Sequence, residues 1–376
     1  MRMRLFAALC AIMSSYALQG QTLPVLEPHE LCTDYVDAIA TFEDAILESK
    51  VREAAGVGPA DDLTCSLLFG LTSLHAEYTG IESVMGIQNL PGLTDLRLNG
   101  NSIVELGALH DLTNLIWLRL GKNSITDVSA LSELTNITRL DIYQNLITDI
   151  SALNGLTSVR WFYAQNNLIS DISAMSASGL PNLRYLNLSN NSISDISALS
   201  EIPALEFLII ENNWISDISV LSGLTNMRLL IIGDNLISDI SVLSGLTNIS
   251  VQLYLDNNVI SDISALSGNT VIHWLRLNGN MITDISALGG PHPDPLDVRL
   301  NDNPDLSNIQ PLLDNPDLGE GDSVDLNNTS VSCDDVALLE VNGVSVAHNC
   351  SIDSDVGSPG MSSSLKIILM KKANES

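Results

Sequence analysis

Residues 215–226 read ISDISVLSGLTN, and residues 237–248 repeat the same twelve letters 22 positions later. Self-similarity at a fixed interval marks a repeat architecture and has to be recognised before any local reading. On both sides the frame L-x-L-x-x-N-x-I-x-x-I-x-x-L-x-x-L recurs, with its asparagine at Asn101, Asn123, Asn145, Asn167, Asn191, Asn213, Asn235, Asn258, Asn280 and Asn303. Neighbouring asparagines stand 22 to 24 residues apart. Thr79 and Thr329 hold the same slot in two weaker end repeats, LHAEYTGI and VDLNNTSV, giving about twelve coils.

The spacing carries the structural expectation. L-x-L alternates at period 2, which predicts a short strand with its leucines on one face. The asparagine three places later ends the strand, where its amide can both donate and accept toward the neighbouring coil. The later apolar positions, three residues apart, suit a tight turn or 3₁₀ segment. One such unit cannot bury its apolar face alone, so units stack and share a continuous core. Parallel strands about 4.8 Å apart would give twelve coils a sheet roughly 50 Å long.

These residues resemble the short-repeat, internalin-like leucine-rich repeats of bacterial secreted and surface proteins, over residues 71–332. The resemblance implies an α/β leucine-rich-repeat solenoid, with a curved parallel sheet on the concave face and 3₁₀ or turn segments on the convex face. It also implies a helical N-terminal cap over 18–70, where FEDAILESKVREAAG (42–56) has helical spacing and DLTCSLLFGLTSL (61–74) leads into the first coil. The residues after the repeats carry no immunoglobulin-like module, LPxTG-type anchor or tandem cell-wall-binding domains, so the receptor binding of some internalins does not transfer automatically.

The N-terminus pairs Arg2 and Arg4 with an uncharged stretch, Leu5–Met13, and then Ser15-Tyr16-Ala17. That order predicts a signal peptide over 1–17 and an exported chain. Cys32, Cys65, Cys333 and Cys350 then remain, and four cysteines allow three connectivities. The two local pairs lie at opposite ends of the array, and a bridge needs Cα atoms within about 7 Å. The expected disulfides are therefore Cys32–Cys65 and Cys333–Cys350, the second closing a C-terminal cap over 333–350. Residues 351–376 read as a flexible tail, whose LKIILM run is far too short to span a bilayer.

Composition excludes several functions. The 376 residues carry a formal net charge of -29, with 45 Asp plus Glu against 16 Lys plus Arg. Such a balance opposes nucleic-acid binding, which needs a basic face, and adsorption to anionic lipid. The charged fraction is only 16%, and the mean hydropathy is +0.22, so the chain is not an acidic disordered one. The six histidines are scattered over different repeat slots, and no G-x-S-x-G, H-E-x-x-H or P-loop is present. No enzymatic activity and no cofactor are expected. A column of aspartates (Asp127, Asp149, Asp171, Asp195, Asp217, Asp239, Asp262, Asp284) could be read as a calcium ladder. Calcium wants six to eight oxygens and each repeat supplies one carboxylate at this slot, so capping of the following turn is the expectation, with no metal site.

The outward face of the strands is the informative surface. Residues six, four and two before each asparagine should point away from the core. Eight of the ten aromatics between Thr79 and Asn303 fall in those slots; Phe162, in a core slot, and Trp214 are the exceptions. All eight arginines of the array lie four to seven residues before an asparagine. Aromatics and arginine dominate binding hot spots, and β-propensity alone does not account for the arginines. The candidate partner-binding residues are Trp117, Arg119, Tyr143, Trp161, Tyr163, Tyr185, Phe207, Ile209, Ile231, Tyr254, Trp274, Arg276 and Arg299. Trp161, Tyr163, Tyr185 and Phe207 would anchor a protein or peptide ligand, and the arginines would pair with its acidic groups. A glycan-binding stripe is the alternative from another class, though contiguous Ile209, Leu229 and Ile231 suit a protein better. A cytosolic phosphatase-regulating repeat protein is a third reading, which the signal peptide and paired cysteines oppose.

Overall fold

The computed structural model describes residues 23–34, 37–176, 179–293 and 295–350. The signal-peptide reading of 1–17 and the flexible-tail reading of 351–376 fall outside the described residues. The chain divides into two compact units, Met1–Ile137 and Thr138–Ser376.

The first unit opens with the helix Ala45–Ala55 (α1). Asp44 starts it by accepting from the Ile46 and Leu47 N–H groups, and Gly56 ends it at φ 70°. Its apolar stripe buries Leu47 and Val51. The second oxygen of Asp44 accepts from Glu82 N–H at 2.8 Å, which ties the helix start to the first coil. Burial alone would raise the Asp44 carboxyl, but the N–H groups of Glu82, Leu47, Ile46 and Ser83 hold it below the ordinary aspartate value. A disulfide joins Cys32 to Cys65 with Cα atoms 5.3 Å apart, both residues buried. Three parallel strands follow, β1 (Ser73–His75), β2 (Asp95–Arg97) and β3 (Trp117–Arg119), with Leu74, Leu96 and Leu118 in register on the core face.

The second unit continues the same grammar: β4 (Arg139–Asp141), β5 (Trp161–Tyr163), β6 (Tyr185–Asn187), β7 (Phe207–Ile209), β8 (Leu229–Ile231), β9 (Gln252–Tyr254), β10 (Trp274–Arg276), β11 (Asp297–Arg299), β12 (Ser323–Asp325) and β13 (Ser345–Ala347). Each pairs in parallel with the next. The chain returns through short 3₁₀ segments such as Ser219–Gly223, which buries Leu221. Strand, asparagine turn and 3₁₀ return, repeated, make a leucine-rich-repeat solenoid. Phe162 sits fully buried in the slot the pattern assigns to the core. Residues 333–350 hold more than a disulfide: the helix Cys333–Val341, capped by Ser332, is followed by β13, which pairs with β12. That strand lacks the asparagine frame, which is why the repeat count stops short of it.

The asparagines hold the coils together. Asn213 donates from Nδ2 to the carbonyls of Leu188, one coil back, and Ile210, in its own coil, at 3.1 and 3.3 Å. Its Oδ1 accepts from Ile193 N–H at 2.9 Å. The same three bonds recur at Asn167, Asn235, Asn258, Asn280 and Asn303. The residue just before the asparagine adopts a left-handed conformation, φ 51–59° at non-glycine positions including Asn166, Asn190, Asn212 and Asp234. Asn and Asp tolerate that region best after glycine. Their enrichment in this slot is therefore a sequence mark of the turn.

The Cys333–Cys350 bridge has its Cα atoms 5.7 Å apart. The two bridges close loops of 33 and 17 residues. Reducing them should cost about 3–4 kcal/mol each by loop entropy. Thermal unfolding of the chain with and without reductant measures this, and an unchanged midpoint would contradict it.

Candidate functional site

In the second unit the outward side chains form rows set by the strand register. One row runs Trp161, Tyr185, Phe207, Leu229, Gln252, Trp274 and Asp297. The next runs Tyr163, Asn187, Ile209, Ile231, Tyr254, Arg276 and Arg299. Rings bridge the rows: Tyr163 and Tyr185 centroids are 4.7 Å apart, and Tyr185 and Phe207 6.2 Å. The Trp161 and Trp274 side chains are 39% and 44% exposed, and the other rings of the two rows are half-buried. Burial pushes the Tyr185 hydroxyl above its ordinary value, with Tyr163 adding to the rise. Ile231, expected in the exposed patch, is instead buried at 9%, standing in register between Ile209 and Tyr254. Tyr143 is half-buried two residues beyond the end of β4. In the first unit Trp117 is 45% exposed and Arg119 is half-buried.

Several arginines of the array have partners within the chain. Arg139 lies 3.1 Å from Asp141 and stacks its guanidinium 4.6 Å from the Tyr163 ring. Arg276 lies 4.0 Å from the Tyr254 ring, and Arg299 reaches Asp297 at 3.5 Å. Arg228 sits 5.9 Å from Phe207, and Arg184 pairs with Glu206 at 3.1 Å. Arg97, in the first unit, pairs with Asp95 at 2.7 Å. Residues two apart on a strand share a face, so Asp95/Arg97, Arg139/Asp141 and Asp297/Arg299 were readable as pairs. The Arg139, Arg228 and Arg276 guanidinium groups are thus drawn to rings of the rows themselves.

Two further rows line this face, one in the slot two before each asparagine and one just after it. A third outward row follows the strands, Gln165, Ser189, Glu211, Gly233, Asp256 and Asn278, and it is acidic at its centre. Burial pushes the Glu211 carboxyl above its ordinary value, Asp256 and Asp234 add to the rise, and Arg276 opposes it. Burial likewise raises Asp256, with Asp234 adding to it. The residue after each asparagine is also apolar in six coils: Leu146, Leu168, Trp214, Leu236, Val259 and Met281 are 43–61% exposed. Trp214, an exception to the strand slots, belongs to this row.

On the return side, the Oδ1 of each column aspartate accepts from the N–H of the serine two residues on, at 2.7–2.8 Å in all eight coils from Asp127 to Asp284. The capping reading therefore accounts for the column. The serine N–H and then the serine hydroxyl hold Asp149, Asp171, Asp195, Asp217, Asp239 and Asp262 below the ordinary aspartate value. Among the described residues no three His, Cys, Asp or Glu side chains gather as a metal site.

These shifts have opposite signs for stability. The capping carboxylates stabilise above the unfolded aspartate pKa, about 3.9, and that contribution is lost as pH falls through their lower folded values. Glu211 and Asp256 disfavour the folded state when ionised, and protonation relieves them as pH falls through their raised values. The urea midpoint should therefore rise on mild acidification from neutral pH and fall below about pH 4. Glu211→Gln should raise the midpoint at neutral pH and shrink the first rise. A midpoint that Glu211→Gln lowers would contradict the assignment.

Comparison with known proteins agrees with this geometry. The family model described as leucine rich repeat matches residues 164–215, and the two-copy leucine rich repeat model matches 113–155 and 203–245. No curated protein matches the chain in sequence. Among solved structures, the internalin InlF of Listeria monocytogenes is similar at 28% identity and TM-score 0.74, over 85% of this chain and 94% of that one. Internalin C2 of the same organism is 36% identical, with TM-score 0.53, over 58% of this chain and 93% of that one. A plant peptide hormone receptor, RGFR1 in complex with RGF2, shares the fold alone, at 17% identity and TM-score 0.51, over 75% of this chain and 52% of that one. The chain is a leucine-rich-repeat protein. Within that class it belongs to the internalin-like family. Among the described residues no helix is long and apolar enough to cross a membrane.

Proposed function

We propose that the chain is an exported binding protein that grips a protein or peptide partner with the outward strand face of its second unit. Trp161, Tyr163, Tyr185 and Phe207 anchor the partner, with Ile209, Tyr254 and Trp274 extending the contact. The observation that carries this reading is the run of touching rings from Tyr163 through Tyr185 to Phe207 on a face that the solenoid core does not need. Such rings bring large, stiff contact area at small entropic cost on binding. Two disulfides suit an oxidising compartment, which supports export alongside the basic and apolar N-terminus.

A photo-crosslinking residue at Asn187, set between Tyr163 and Ile209, tests the reading in a native secretome. The same group at Ser222, on an exposed 3₁₀ return, is the control. A partner captured only from Asn187, and lost in Phe207→Ala, supports the assignment. Equal capture from both positions, or capture indifferent to Phe207, refutes it.

A further inference from the structure

The third outward row says what chemistry the partner brings. Backbone N–H groups of Asn166, Asn190, Asn212, Asp234 and Asn257 donate to the carbonyls of Ser189, Glu211, Gly233, Asp256 and Asn278 at 2.8–3.1 Å. Those bonds stack Gln165, Ser189, Glu211, Gly233, Asp256 and Asn278 coil on coil. Ser189 is 3% exposed and its Oγ has no hydrogen-bond partner, although Leu188 beside it faces the core and alternation turns Ser189 to the outward row. Gln165 Oε1, on the coil before it, and Asn278 Oδ1, near the far end, are also buried without a partner. Between them stand two half-buried carboxylates, Glu211 and Asp256.

Gly233 separates those carboxylates. A Cβ there would come within 2.9 Å of the Asp256 carboxylate, so that group lies over bare backbone. Arg276 is the cation that acts on both carboxylates, and it is already stacked on Tyr254. Asp234 adds a third negative charge to the pair. Acceptors and negative charge thus outnumber donors along the row, and buried polar atoms of this kind are unfavourable until a donor reaches them. Six stacked positions span roughly 24 Å, the reach of about seven or eight extended residues.

Resting on the binding role proposed above, we infer that the partner segment is a basic extended peptide: its apolar side chains lie on the Tyr185 and Phe207 rings, and a lysine or arginine enters at Gly233 to donate to Glu211 and Asp256. A hydrogen-bond-rich neighbour on that peptide meets Ser189 and Gln165. The charge on the partner is therefore positive, opposite to what a reading from the arginines alone suggests.

A displayed library of peptides about eight residues long, panned on the full disulfide-bonded chain, tests this. The expected pool combines aromatic or aliphatic residues with Lys or Arg. A synthetic peptide from that pool should bind about tenfold more weakly to Glu211→Gln/Asp256→Asn, and more weakly as salt is raised. Because any basic peptide is drawn to a chain of net charge -29, Asp217→Asn/Asp239→Asn removes the same charge from the return side and should leave binding unchanged. Urea midpoints establish that each variant is folded. Equal loss in both double variants, or a pool of apolar peptides without basic residues, overturns the inference while leaving the ring face as a binding site. A pool whose binding is indifferent to Tyr185→Ala/Phe207→Ala overturns the binding role, and this inference with it.

Discussion

Replacing Asn213 with alanine should lower the stability of the array by about 3 kcal/mol, because it leaves the buried Ile193 N–H without an acceptor and takes one of two donors from each of the Leu188 and Ile210 carbonyls, which keep the bonds from Asn191 and Asn235. Asn213 is 6% exposed, so water does not readily take over those bonds. The loss falls on the coupling between coils, the quantity that sets the cooperativity of a repeat protein. Asn213→Asp keeps the acceptor but removes both donors and places a carboxylate beside carbonyl oxygens, so it should be no milder. Thr79 shows where a smaller residue suffices: its Oγ1 donates to the Ala76 carbonyl, and no repeat of the frame precedes it. Urea denaturation followed by circular dichroism gives the number. A loss under about 1 kcal/mol, typical of a surface site, would contradict the ladder as the element that joins coils.

Phe207→Ala should weaken partner binding by more than about 2 kcal/mol, with Trp161→Ala close behind, and leave the urea midpoint nearly unchanged. Phe207 lies outside the core: it is half-buried on the outward face, between Tyr185 at 6.2 Å and the Arg228 guanidinium at 5.9 Å. On the proposed binding role, truncation removes both a contact ring and the neighbour of Tyr185, so the binding cost should exceed that of an isolated exposed aromatic. Titration calorimetry with the captured partner measures it. Binding lost only in proportion to unfolded protein would show the ring to be structural.

Much of the architecture is written in the repeat itself. The leucines of L-x-L, the asparagine and the aspartate recur at one spacing, and each has a local task that the spacing implies: core, inter-coil bond, turn cap. The column aspartates illustrate this, since the serine that donates to each stands two residues further on. The cysteine pairing follows from the same array. The candidate face was only partly readable. Its outward slots followed from alternation, and the acidic partners of Arg97, Arg139 and Arg299 stand two residues away on the same strands.

Burial of Ile231, stacking of Arg276 on Tyr254, and the stranded Ser189 hydroxyl were not readable from one repeat. Each depends on which side chains stand next to it in the adjoining coils, about 22 residues away in the chain. A period fixes the backbone because every coil makes the same bonds to the next. The variable outward residues have no such rule. Their exposure, charge balance and contacts arise only when the coils are laid side by side, and it is there that an acidic row came to lie beside the rings.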